Sequence, residues 1–443
     1  MSRRNVLWRV LLVLAICCTV VKAGNNIGRS SAVGGVSINT DGILDSATEL
    51  NQQALNDLMG QNFRAAPGDL NTPVEMRKIS LKAINAALRD AKKNQVADLP
   101  DEIKYLAGIQ RIQYVLLYPE QNDIVLAGPG EGWQLDGKGS VVGVTTGRPV
   151  LSLEDLLVAF RTVEEARKGG ISCSIDPTVE GRQKFEQYMS QQKTFNPAVI
   201  DGIEKAMGNQ QITVSGVPDT SHFARVLVAA DYKMKRIGMK LEKSPVRGLA
   251  SFIDMIPGKL DNMMPRWWMA CNYEPMGRSE DGLAWELRGS GVKVMTEDEF
   301  VDNAAGTVKG TGKVNPVAQK WCDQFTAKYE DLSVKEPVFG ELRNIMDMCV
   351  VAALITKENL PAKAKCELTE LSSDKMGIES FPAPKKVATQ SSALKRGNNW
   401  IITASGGVAI NSWEVANKTE MRPAVGAIRE KAKPASTSNL WWN

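Results

Sequence analysis

Hydrophobic positions along the chain recur in two rhythms, and the switches between them mark the expected elements. The chain begins with an apolar run, Val10 to Val21, interrupted only by Cys17, Cys18 and Thr19. Arg3 and Arg4 precede it and Val21-Lys22-Ala23 closes it. That layout predicts a cleavable export signal over 1–23 with Gly24 as the new N-terminus. A membrane span needs roughly 20 apolar residues, more than this run supplies. Residues 24–72 are rich in Gly, Ser and Asn, and the Ser46/Glu49 pair predicts one short helix there. Thr72-Pro73-Val74-Glu75 repeats the device, so a second helix is expected from Pro73 to about Lys93, with Met76, Ile79, Ala83, Ala87 and Ala91 on one face.

From Ile109 the period becomes two. Strands are expected near Gln110 to Tyr118, Asp123 to Ala127, Gly132 to Leu135 and Ser140 to Val144, joined by polar turns as an antiparallel meander. A helix from Ser152, a buried strand at Gly170 to Ile175 and helices after Asp176-Pro177 and Asn196-Pro197 follow. Next come a strand at Ile212 to Val217 and a helix from Asp219 to Ile237. Arg266 to Tyr273, Leu283 to Leu287 and Val292 to Met295 read as strands, with Gly289-Ser290-Gly291 turning the last pair. Asn315-Pro316 and Pro337 open two more helices. Beyond Phe381 a Pro- and Lys-rich stretch reads as a linker, followed by a small hairpin around Gly406-Gly407. The pattern predicts an α+β protein: a mixed sheet with an antiparallel meander, flanking helices and a helical C-terminal part. The expected parts are 73–218, an α+β core; 219–380, a second α+β part; and 381–443, a basic tail carrying Trp400, Trp413, Trp441 and Trp442.

Charge narrows the function. The 443 residues hold 54 Lys+Arg and 50 Asp+Glu, and four of those bases lie in the signal with no acid, so the remaining chain is neutral. A neutral chain is not a bulk binder of nucleic acid. Residues 381–443 contain nine bases and three acids, leaving the body acidic. Such a tail is expected to dock on the body, on an anionic envelope polymer or on a protein partner. Five cysteines follow the signal, Cys173, Cys271, Cys322, Cys349 and Cys366, without C-x-x-C spacing. Neither zinc nor a redox pair is expected. One disulfide among the last three and buried free thiols stay as alternatives.

His222 is the single histidine, which excludes two-histidine metal motifs. One nucleophilic arrangement remains: Cys173 as thiol, His222 as base and Asp219 to orient it. The N-terminus of a helix is expected to keep His222 neutral. A second candidate surface gathers Trp267, Trp268, Tyr273 and Trp285 with Glu274, Glu280, Asp281 and Glu286, the residue types of a carbohydrate cleft. The G-x-x-x-x-G-K spacing from Gly132 lacks the Ser or Thr that holds magnesium, so no cofactor is expected. Two S-x-x-K matches, at Ser190 and Ser392, lack the companion motifs of serine acyltransferases.

Several stretches resemble a family of secreted planctomycete proteins of unknown function. They are YLAGIQRIQYV (Tyr105 to Val115), YPEQNDIVLAGPGEGW (Tyr118 to Trp133), TTGRPVLSLEDLL (Thr145 to Leu157) and GGISCSIDPT (Gly169 to Thr178). HFARVLVAADYKMKRIGM (His222 to Met239) and PRWWMACNYEP (Pro265 to Pro275) are similar to it too. The resemblance implies an exported protein and carries over no activity, cofactor or catalytic residue. The leading expectation is a non-catalytic secreted or envelope protein that binds another macromolecule. The alternative is a secreted hydrolase using the Cys173/His222 pair or the carboxylates near Trp285.

Overall fold

The computed structural model describes residues 32–33, 36–38, 43–46, 57, 60, 63–94, 99–192, 198–257, 265–302, 307–310, 314–373, 383–390, 405–433 and 441–442. The expected signal, most of the helix expected after Ser46, residues 391–399 of the expected linker, and Trp400 lie outside these residues. The described start of that linker is no linker: Lys386–Ala388 is a strand paired with Asn209–Ser215 on one side and Ile43–Ser46 on the other, because backbone pairing from distant strands overrides the Pro- and Lys-rich composition. The fold is α+β, with mixed sheets in which antiparallel pairs dominate.

Among the described residues the larger sheet has ten strands. Its centre runs Asn209–Ser215, Ile171–Asp176, Ser405–Ile410, Pro265–Asn272 and Gly291–Asp302. Ser405–Ile410 lies antiparallel to Ile171–Asp176 and parallel to Pro265–Asn272. It is a central strand, not half of a detached hairpin, so the boundary expected at 381 does not separate a tail. Gly406 and Gly407 read as a turn in sequence, but they serve close approach. A Cβ on Gly406 would sit 1.6 Å from the Trp267 carbonyl oxygen, and one on Gly407 would sit 1.7 Å from that of Cys173.

The rest of the described C-terminal segment also docks on the body. Thr419–Met421 extends the seven-stranded sheet beside Met276–Arg278. Arg429, 6% exposed, reaches the Leu117 carbonyl and Glu120, while Lys433 pairs with Glu120 and Arg422 with Glu286. These bases neutralise the acidic body from within the fold. Of the three destinations expected for the tail's charge, the described part takes the body.

The smaller sheet orders Thr419–Met421, Met276–Arg278, Ala284–Glu286, Tyr114–Tyr118, Asp123–Gly130, Val74–Ser80 and Trp441–Trp442. Val74–Ser80 corrects the helix expected from Pro73. The helix begins only at Leu81, where the Ser80 hydroxyl accepts from the Ala83 amide. Upstream, pairing with Asp123–Gly130 overrides the helix-start signal. The meander is split as well: Tyr114–Tyr118 and Asp123–Gly130 pair within this sheet, whereas Trp133–Leu135 and Val141–Gly143 form a hairpin of their own. Ala284–Glu286 pairs with Tyr114–Tyr118 while Gly291–Asp302 pairs with Pro265–Asn272, so Gly289–Gly291 carries the chain between sheets and turns no hairpin.

The helix Pro337–Lys357 is the central post. Eighteen of its 21 residues are buried, and it touches the helices Leu153–Arg161 and His222–Gly238. An aromatic chain, Phe252, Trp267, Trp321, Phe325 and Phe339, fills the core beside it.

Candidate functional site

Three helices bring their N-terminal ends together around His222. The helix Leu153–Arg161 supplies Glu154 and Asp155, the helix His222–Gly238 supplies His222 itself, and the central helix supplies Glu341. Ser221 caps the second helix, its hydroxyl accepting from the Ala224 amide. The free His222 amide at that terminus donates to Glu154 Oε1 at 3.0 Å. A carboxylate from a neighbouring helix thus completes the cap.

The imidazole faces Asp155, with Nδ1 3.0 Å from Oδ2 and 3.1 Å from Oδ1. Asp155 is nearly enclosed and His222 keeps a quarter of its side chain exposed, at 4% and 25%. Burial alone lowers the His222 pKa. The Asp155 charge and hydrogen bond outweigh it, Glu154 and Glu341 add to them, and the value rises to about 9. This corrects the expectation of a neutral imidazole: the contact carboxylate outweighs the helix N-terminus, and His222 is protonated at neutral pH. Glu154 and Glu341 move upward, chiefly through burial, which the His222 charge only partly offsets. Glu341 also accepts from Ser140 and feels Asp136, itself raised by burial.

The structure does not bring Cys173 to His222. Cys173 is 2% exposed on Ile171–Asp176, and its charged neighbours are Asp231, Lys235 and Asp176. Asp231 lies nine residues along the helix from His222, about 13 Å by helical rise. Burial, then Asp231, push the Cys173 thiol far above its ordinary range, the reverse of what a nucleophile needs. Asp219 is apart too: its carboxylate is half exposed and meets Lys385 at 3.5 Å. Beside Cys173, Lys235 Nζ donates to Asp231 at 2.9 Å and to the Ile175 and Gly406 carbonyls, tying the helix to two central strands.

The aromatic and acidic cluster also resolves into structural roles. Trp267 and Trp285 are fully buried and offer no face for a sugar to stack on. Trp268 is half-buried with the Arg266 guanidinium 5.7 Å from its ring centre. Glu274 pairs with Arg288, Glu286 with Arg422, and Asp281 accepts from Ser279. Tyr273 donates to Asp347 at 2.6 Å. Asp347, fully enclosed on the central helix, also takes the Arg111 guanidinium through Nε and Nη2, both at 3.1 Å. Sequence reasoning missed Asp155, Glu154, Glu341, Arg111 and Asp347. Acidic residues inside otherwise apolar helical faces, Asp155 among Leu153, Leu156 and Leu157 and Asp347 among Met346, Met348 and Cys349, were the available signal.

All five described thiols are free, so the disulfide alternative is not realised. No group of three or more His, Cys, Asp or Glu fit to hold a metal ion occurs among the described residues. No helix among them is long and apolar enough to cross a membrane.

Residues 173–252 match a family described as a protein of unknown function, DUF1598. The match holds Cys173, His222, Asp231 and Lys235 but neither Asp155 nor Glu341. Half of the ion pair thus comes from outside the matched segment. No curated protein and no solved structure matches the chain.

Proposed function

We propose that the protein acts by binding rather than by chemistry, as a secreted or envelope protein that holds another macromolecule. The observation that carries this reading is the state of its two reactive candidates. His222 is locked as a cation on Asp155, and the Cys173 thiol is buried, raised and separate from it. A base that is protonated at working pH and a thiol without thiolate character are poor catalysts. The same groups are good struts, joining helices to one another and to the sheet. Export rests on the charged start, the apolar run to Val21 and the small residue at Ala23. The worded likeness to secreted planctomycete proteins over most of Leu99 to Ile355 points the same way.

The test has two arms. Purified cell-envelope material should retain the protein saturably in sedimentation, and His222→Gln and Cys173→Ala should retain it equally. A panel of chromogenic ester, amide and glycoside substrates should show no turnover above buffer. Turnover that His222→Gln or Cys173→Ala abolishes would overturn the binding reading in favour of the hydrolase.

A further inference from the structure

Three arginines from distant parts of the chain converge on one half-exposed carboxylate. Arg343 stands on the central helix with its side chain 2% exposed and its Nη1 on Glu330 Oε2. Arg148, 37% exposed, places Nη2 2.7 Å from the other oxygen, Oε1. Arg111 joins them: a Cβ built on Gly291 would lie 2.8 Å from Arg343 Cγ and 3.4 Å from Arg111 Nη2, so both side chains flank one point. Burial raises the Glu330 pKa, but Arg343, Arg148 and Arg111 together outweigh it and hold the carboxyl below its ordinary value.

Two of the three guanidinium groups are incompletely matched. Arg111 uses Nε and Nη2 on Asp347 and Nη1 on the Gly289 carbonyl. The Nε atoms of Arg148 and Arg343 are enclosed and have no hydrogen-bond partner among the described residues. A guanidinium cannot shed its proton to relieve that deficit. Three cations face two carboxylates, Asp347 and Glu330, and only Asp347 is enclosed. Glu330 is 52% exposed on the short helix Tyr329–Lys335, and an ion pair so open to water holds weakly.

We propose that Arg111, Arg148 and Arg343 form a binding site for the carboxylate groups of a ligand, a site that Glu330 occupies when no ligand is present. The forked donors suit a planar carboxylate, as the Arg111–Asp347 pair already demonstrates at the same place. An incoming polycarboxylate displaces Glu330 into solvent, where its exposure lets it swing. Glu330 is then a competitor built into the chain, which sets the affinity. The site stands independently of the macromolecular partner proposed above.

Calorimetric titration of the full chain with citrate, at ionic strength held constant with chloride, tests it. Wild-type protein should bind saturably. Glu330→Gln, which removes the competing charge, should bind about tenfold more tightly. Arg148→Lys keeps the charge but loses the fork, and being partly exposed it leaves the core untouched. In that variant affinity should fall about tenfold. Circular dichroism confirms that both variants fold. Binding that Glu330→Gln leaves unchanged or weakens would overturn the proposal. So would citrate binding that Arg148→Lys leaves intact, or no saturable binding to any of the three proteins.

Discussion

Replacing Gly406 by alanine tests whether the C-terminal segment is a central strand of the larger sheet. Gly406 has φ +126, a conformation essentially restricted to glycine, and strain of this kind costs about 1–3 kcal/mol. The added methyl would sit 1.6 Å from the Trp267 oxygen, inside a strand paired on both sides. Relief requires the backbones to part, an overpacking cost of about 1–3 kcal/mol more. The sum, roughly 2–6 kcal/mol, is a large share of the whole stability of an ordinary domain. Trp267 is the reporter at the clash, so urea unfolding followed by tryptophan fluorescence is the assay. The midpoint should fall by about 1 M or more. A Gly406→Ala protein that unfolds at the wild-type midpoint would refute the placement of Ser405–Ile410 between its two neighbours.

Ending the chain at residue 404 removes the same strand with Val408 and Ile410, both buried, and should give insoluble or unfolded protein; a soluble product melting like wild type would show that the segment is dispensable. Cys173 and Cys322 should resist alkylation in the native state and react on unfolding, and rapid native labelling of Cys173 would revive the nucleophile. Asp347→Ala removes the carboxylate that Arg111 contacts and leaves Tyr273 without its acceptor. It should destabilise by about 3 kcal/mol in thermal or urea melts, and a loss near zero would mean that water replaces the carboxylate at no cost.

Much of the fold was legible because the signals were local. Thr178, Ser221 and Asn315 cap helices close to the expected starts, and the buried face of Ile171, Cys173 and Ile175 follows plain alternation. The errors fell where distant partners decide. Thr72-Pro73-Val74-Glu75 has the letters of a helix start, but the strand Asp123–Gly130 claims the backbone of Val74–Ser80. Gly406-Gly407 has the letters of a turn, yet the glycines exist to let two flanking strands close in. The site shows the same division. His222 stood out as a lone residue type, while its partner Asp155 lies 67 residues earlier and nothing in the spacing joins them. Its charge state followed that partner, not the helix terminus visible in the sequence.

The ion pair of His222 and Asp155 carries the central claim, and the chain contains one histidine, so its titration can be followed without ambiguity. A folded pKa raised above the ordinary 6.5 means that the pair contributes its full stability below about pH 6.5 and loses it as pH rises through about 9. Nuclear magnetic resonance of imidazole-labelled protein measures that midpoint directly. The expected midpoint is near 9, with melting temperature declining over the same range in wild type and not in His222→Gln. A midpoint at or below 6.5 would contradict the ion pair, because His222 would then be a neutral base at working pH and free for catalysis.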